Sequence, residues 1–118
     1  MILVDTSVWV DHLRRGNARL AGLLGDGVVV SHPFVLGEIA CGSLRQRGRI
    51  LSLLAELPVA ATATHSEVLA FIEARHLMGR GLGYVDVHLL AAASIEGVPL
   101  WTFDKRLDAA ARAMGVAP

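Results

Sequence analysis

The chain has 118 residues, eleven basic and eleven acidic side chains and no formal net charge. That is room for one domain with a real core, and bulk charge offers no argument for nucleic-acid binding. Hydrophobic residues make up 53% and mean hydropathy is +0.51, which excludes a disordered chain and predicts that a partner or a second copy covers part of the apolar surface.

Ile2–Val4 is a short apolar run that predicts a strand buried on both faces. Helical spacing follows at Val8, Leu13 and Leu20, broken near Arg15-Gly16-Asn17. The GDG at 25–27 predicts a turn, and Val28–Val30 a second buried strand. Ser31-His32-Pro33 opens a helix to about Arg45, and a further helix covers about Arg49–Leu57 before Pro58. Val59–Ala63 predicts a weak third strand. Thr64-His65-Ser66-Glu67 has the pattern of a capping box ahead of a helix to about Met78. GRGLG at 79–83 then connects to a helix over Val85–Glu96, ended by Gly97. Val98–Thr102 predicts another strand, Asp104 starts a last helix to about Met114, and Gly115-Val116 adds a terminal strand.

Strands alternating with helices, without hairpin signals, predict an α/β fold. The expectation is one domain over residues 1–118, with a central parallel sheet of four to five strands and helices on both faces. Sites in such folds lie at the carboxyl ends of the strands, where Asp5 and Asp104 both fall.

Each acid can be tested for a local partner. Asp11 has Arg14 and Arg15 at i+3 and i+4, and Asp108 has Arg112 at i+4. Glu67 belongs to its capping box and Asp26 to its turn, while Glu73 and Glu96 suit solvated helix faces. Four acids remain. Asp5, Asp86 and Asp104 stand near helix starts, where capping accounts for any one of them, although Thr6 or Ser7 is the better cap for the first helix. Glu38, in mid-helix with apolar or small neighbours within a turn, is the acid that capping does not explain. Four such carboxylates gathered together would repel unless a cation intervened, and Mg²⁺ or Mn²⁺ suits an all-oxygen set. That chemistry points to metal-assisted phosphodiester hydrolysis.

With their surroundings these positions resemble the PIN-domain ribonucleases, in particular VapC-type toxins of toxin–antitoxin pairs. The resemblance rests on Val4-Asp5-Thr6-Ser7, Glu38 in VLGEIACG, Asp86 in YVDVHLLAAA and Asp104 in LWTFDKRL, and it covers essentially the whole chain. It implies an acidic pocket of Asp5, Glu38, Asp86 and Asp104 holding one or two Mg²⁺ or Mn²⁺ ions, with Asp5 and Asp86 as the main direct ligands. Thr6, Ser7 and Thr102 would orient carboxylates or water. It further implies an RNA substrate, a cognate antitoxin packed near the active site, and a homodimer. The alternative is a non-catalytic module of the same fold that binds protein or RNA, and the complete acid set weighs against it. A phosphatase with Asp-x-Asp after the first strand is disfavoured by Ser7, and a phosphoacceptor receiver by Thr6.

Other signals carry less. The longest apolar runs, such as LLAAASI, fall short of the roughly 20 residues of a spanning helix, and the N-terminus lacks the basic region of a signal peptide. The lone Cys41 suits a reducing cytoplasm and reads as a small core residue. GRGLG lacks the GK[ST] ending of a phosphate loop. His65 and His76 read as surface residues and His88 is given no role. Trp9 and Trp101 read as core, and Arg45, Arg47 and Arg49 as a solvated basic loop within reach of RNA phosphates.

Overall fold

In the computed structural model, which describes residues 1–118, the apolar run Ile2–Val4 forms β1, buried along its whole length. β1 leads directly into α1 (Thr6–Arg15), and α2 (Ala18–Gly25) follows after Gly16 and Asn17. β2 (Val29–Val30), α3 (Pro33–Ala40) and α4 (Arg47–Ala55) come next. Then come α5 (His65–Arg75), α6 (Tyr84–Glu96), β3 (Leu100–Trp101) and α7 (Lys105–Ala113). The sheet is parallel with order β2-β1-β3, pairing Leu3 with Val30 on one side and Leu100 on the other. The chain belongs to the α/β class, as the alternating pattern predicts.

Three strands form, where four to five were expected. The segment after Pro58 contributes a single parallel bridge between Ser31 and Val59, beyond β2. At the opposite edge the Leu100 N–H donates to the Val116 carbonyl at 2.7 Å. Both segments therefore lie where strands were expected, but neither builds a repeating ladder. No helix is long and apolar enough to cross a membrane.

Two helices stop earlier than their periodicity suggests. α3 ends at Ala40 instead of near Arg45, with Cys41 as its C-cap, and Gln46 takes a left-handed backbone (φ 54°) just before α4. Arg47 then donates twice to the Ala40 carbonyl, at 2.8 and 3.2 Å, which satisfies the helix end. Cys41 falls on this turn and is exposed, contrary to its expected place in the core. α5 ends at Arg75 instead of Met78: His76 is left-handed, and the Leu77 N–H returns to the Ile72 carbonyl as Leu77 becomes buried. The predicted Thr64–Glu67 capping box is present in full.

Val87 to Ala93 are all buried, so α6 is wrapped by protein on every side through its middle, and Ala91, Ala92 and Ala93 present little bulk there. The core is one cluster running from β1 through α6 to α7. Its buried polar residues concentrate just past the strands: Asp5 after β1, Ser31 and His32 after β2, Thr102 after β3.

His32, read from sequence only as part of a helix start, and His88, given no role there, are both buried. His32 is fully buried; its Nδ1 accepts the Phe34 N–H at 3.0 Å as the cap of α3, while Nε2 has no protein partner. His88 is buried against the rings of Phe34 and Tyr84, with neither nitrogen bonded. Burial, with a smaller contribution from His88, lowers the His32 pKa to about 4. An unfolded His titrates near 6.5. Protons therefore favour the unfolded chain, and this contribution to stability is complete above about pH 6.5 and lost as pH falls towards 4. His32→Asn keeps an acceptor for the Phe34 N–H but does not titrate. In urea denaturation its stability is expected to fall less than the wild type's between pH 7 and pH 4, by roughly 3 kcal/mol.

Candidate active site

Asp5 is the residue at which β1 becomes α1, and it is only 7% exposed. Its Oδ2 accepts from the Ser7 hydroxyl at 2.7 Å, the Thr102 hydroxyl at 2.7 Å and, more loosely, the Ser7 N–H at 3.4 Å. Asp5 is thus itself the cap of α1, the part that Thr6 or Ser7 was expected to play. Its Oδ1 accepts none of these bonds.

The same hydroxyls reach the next strand. Thr102 Oγ1 accepts the Asp104 N–H and Ser7 Oγ accepts the Phe103 N–H, each at 3.0 Å. The carboxyl ends of β1 and β3 are therefore tied together by two hydroxyls and one carboxylate. Asp104 caps α7, its Oδ1 accepting from the Leu107 N–H at 2.9 Å.

Glu38 lies in the last turn of the shortened α3 and is exposed. The negative end of a helix is a poor place for a carboxylate. What holds it is Thr6, whose hydroxyl donates to Oε1 at 2.7 Å across 32 residues of sequence. Asp86 stands in the first turn of α6, where Oδ2 accepts the Gly83 N–H at 2.9 Å. In the loop before it, the exposed Arg106 side chain of α7 lies over Gly81. Gly81 has φ +74°, and a Cβ there would meet Arg106 Cδ at 2.7 Å, so only glycine lets the Arg106 side chain lie across the backbone.

Asp86 feels the other three acids. Burial raises the Asp86 pKa; the Gly83 N–H opposes the shift, and the charges of Asp5, Asp104 and Glu38 reinforce it. The ion pairs in the chain lie elsewhere, as Arg15–Asp11 and Arg112–Asp108, both at the helical spacing expected from sequence. Each of the four carboxylates has one oxygen fixed by a protein donor: Asp5 Oδ2, Glu38 Oε1, Asp86 Oδ2 and Asp104 Oδ1. The second oxygen of each takes no side-chain or backbone hydrogen bond.

This donor set suits a hard divalent cation, which takes oxygen ligands and lowers repulsion among carboxylates. No three of these residues converge as a closed ligand shell. Mg²⁺ asks for less, because it keeps several waters and binds through one or two carboxylates.

Two cavities flank α1 beside the acids. One, of about 590 Å³, includes Glu38, Arg14 and Arg45; the other, of about 460 Å³, includes Ser7 and Phe103. They share Val10 and Arg14. The three arginines of the 45–49 cluster thus have different surroundings: Arg47 closes α3, Arg45 lines the larger cavity, and Arg49 does neither. Spacing in the sequence carries no signal for Arg14, which reads there as a partner of Asp11; in the structure Arg15 takes that partner.

A family model described as the PIN domain matches residues 2–113. The chain is 53% identical to Ribonuclease VapC32 of Mycobacterium tuberculosis, in both strain CDC 1551 and strain H37Rv, over 99% of this chain and 95% of that protein. Among solved structures, PAE2754 from Pyrobaculum aerophilum superposes with a TM-score of 0.68. That match covers 92% of this chain and 83% of the other at 19% identity, which is a likeness of fold alone. With a family model spanning nearly its full length and a relative more than half identical along it, the chain belongs to the PIN-domain family and, within it, to the VapC type.

Proposed function

We propose that the chain is a Mg²⁺- or Mn²⁺-dependent endoribonuclease that acts as the toxin of a toxin–antitoxin pair. It hydrolyses phosphodiester bonds of cellular RNA at Asp5, Glu38, Asp86 and Asp104. The observation that carries this reading is the arrangement of the four carboxylates. They come from four elements at the carboxyl end of the sheet, each is held through one oxygen, and none is paired with a side-chain cation. The name of the relative, Ribonuclease VapC32, supports the same activity.

Asp5 and Asp86 would be the direct ligands, with Glu38 and Asp104 ligating directly or through water. Held by these carboxylates, a divalent ion would supply a nucleophilic water at neutral pH and would offset charge on the leaving oxygen. The rest is the work of this chain's side chains. Ser7 and Thr102 hold Asp5 Oδ2, so the carboxylate is aimed before any ligand arrives. Thr6 holds Glu38 in the same way at the exposed rim. The Gly83 N–H holds Asp86 Oδ2 and leaves Oδ1 as the oxygen that would face the ion.

Partner contacts follow from the surface. Leu53, Val59, Leu69, Met78 and Ile95 are each at least half exposed or nearly so, in keeping with the high mean hydropathy. A cognate antitoxin and a second copy of the chain are the proposed coverings, in the cytoplasm.

Asp5→Asn and Asp86→Asn are each expected to reduce cleavage of single-stranded RNA by at least ~100-fold, as EDTA does with the wild type. Cleavage that survives chelation and both substitutions would leave the non-catalytic module as the better reading. Ser7→Ala and Thr102→Val keep every acid but loosen Asp5, and each is expected to lower activity or metal affinity by about 10–100-fold. Thermal denaturation measures metal binding without catalysis. At ten times its Kd, Mg²⁺ should stabilise the wild type by about 1.4 kcal/mol, whereas Asp86→Asn should melt alike with and without the ion.

A further inference from the structure

We infer that the cavity beside Glu38 is a nucleotide subsite, seating one residue of the RNA strand next to the bond that is cut. Arg14 and Arg45 meet its phosphates and Gln46 its base. This rests on the ribonuclease reading and adds the path by which substrate reaches the acids.

The cavity, about 590 Å³, is of the size that holds a small organic ligand. It shares Glu38 with the acidic site, so an occupant there is continuous with the reacting centre. Its floor is apolar, with Leu13, Ile39 and Ile50, which suits the face of a base. Arg14 and Arg45 are exposed and, unlike Arg15 and Arg112, have no carboxylate partner. Two unpaired guanidinium groups next to a cluster of acids match a polyanion that must approach that cluster, since each fork can take two phosphate oxygens.

Gln46 adds a base-reading group. It stands before the first residue of α4 yet makes no capping bond, so both ends of its side-chain amide remain available. Its left-handed backbone is one that a non-glycine residue adopts at a cost. Amide side chains of this kind recognise base edges through paired donor and acceptor bonds.

The second cavity continues the track. It shares Val10 and Arg14 with the first and opens towards Ser7 and Phe103. Phe103 is 49% exposed and immediately precedes Asp104, so a strand passing the acids has an aromatic face for stacking on that side.

Binding can be separated from cleavage in the Asp86→Asn chain, using a fluorescein-labelled single-stranded RNA octamer of random sequence in Mg²⁺ buffer. Adding Arg14→Ala and Arg45→Ala together is expected to weaken binding by at least ~10-fold. It should also flatten the dependence of log Kd on log salt by about 1.4, the loss of two single-strand phosphate contacts. Lysine at both positions should restore most of the salt slope. In the active chain, Gln46→Gly accommodates the left-handed backbone, and mapped cleavage ends should lose their preference at one position at a fixed offset from the cut. Unchanged affinity and slope in the double arginine variant would overturn the subsite alone. So would arginine variants that bind RNA normally but lose a protein partner, since the groove would then belong to that partner. A parent chain that binds no RNA would overturn both the subsite and the ribonuclease reading.

Discussion

The carboxylate of Asp5 is nearly buried at the end of the central strand, and no cation side chain is paired with it. A charge in that position is costly unless its oxygens are satisfied. Here the hydroxyls of Ser7 and Thr102 satisfy one oxygen, and because Thr102 follows β3, the bond also fixes how the two strands end relative to each other. Hydrogen bonds to a charged acceptor contribute about 1.5–3 kcal/mol. The clasp therefore serves the sheet and the site together.

The other acids obey a similar rule in cheaper settings. Asp86 and Asp104 sit in first turns, where helix N–H groups hold one oxygen and the helix dipole favours negative charge. In both, the hydrogen bond engages one oxygen and leaves the other free. Glu38 has the opposite helix end and no cap, and its hydroxyl partner comes from α1 instead.

The basic residues show a division of labour that their number conceals. Arg15 and Arg112 pair within their own helices, Arg47 closes α3, and Arg19 lies over the Trp101 ring at 4.4 Å. Arg106 lies across Gly81. Arg14, in the last turn of α1, and Arg45 have no acid partner, and they line the cavity next to Glu38. A net charge of zero thus leaves room for a local basic surface beside an acidic one.

Much of the molecule was legible because its causes are local. The β1 run, the capping box at Thr64, the breaks at Gly16 and Gly97 and the i+4 ion pairs depend on residues within a turn or two of each other. Sorting acids by local partners singled out Asp5, Glu38, Asp86 and Asp104, and in the structure the charges of the other three reach Asp86. The Val59 and Val116 segments do not become strands, because an edge segment needs a partner along its length and each finds only a point of contact. Where α3 stops, which hydroxyl holds which oxygen, and the burial of His32 and His88 were decided by tertiary structure alone. Two of the contacts responsible, Thr6 to Glu38 and Thr102 to Asp5, join residues 32 and 97 positions apart. Sequence spacing has no period at that range; only closure of the parallel sheet brings those groups within hydrogen-bond distance.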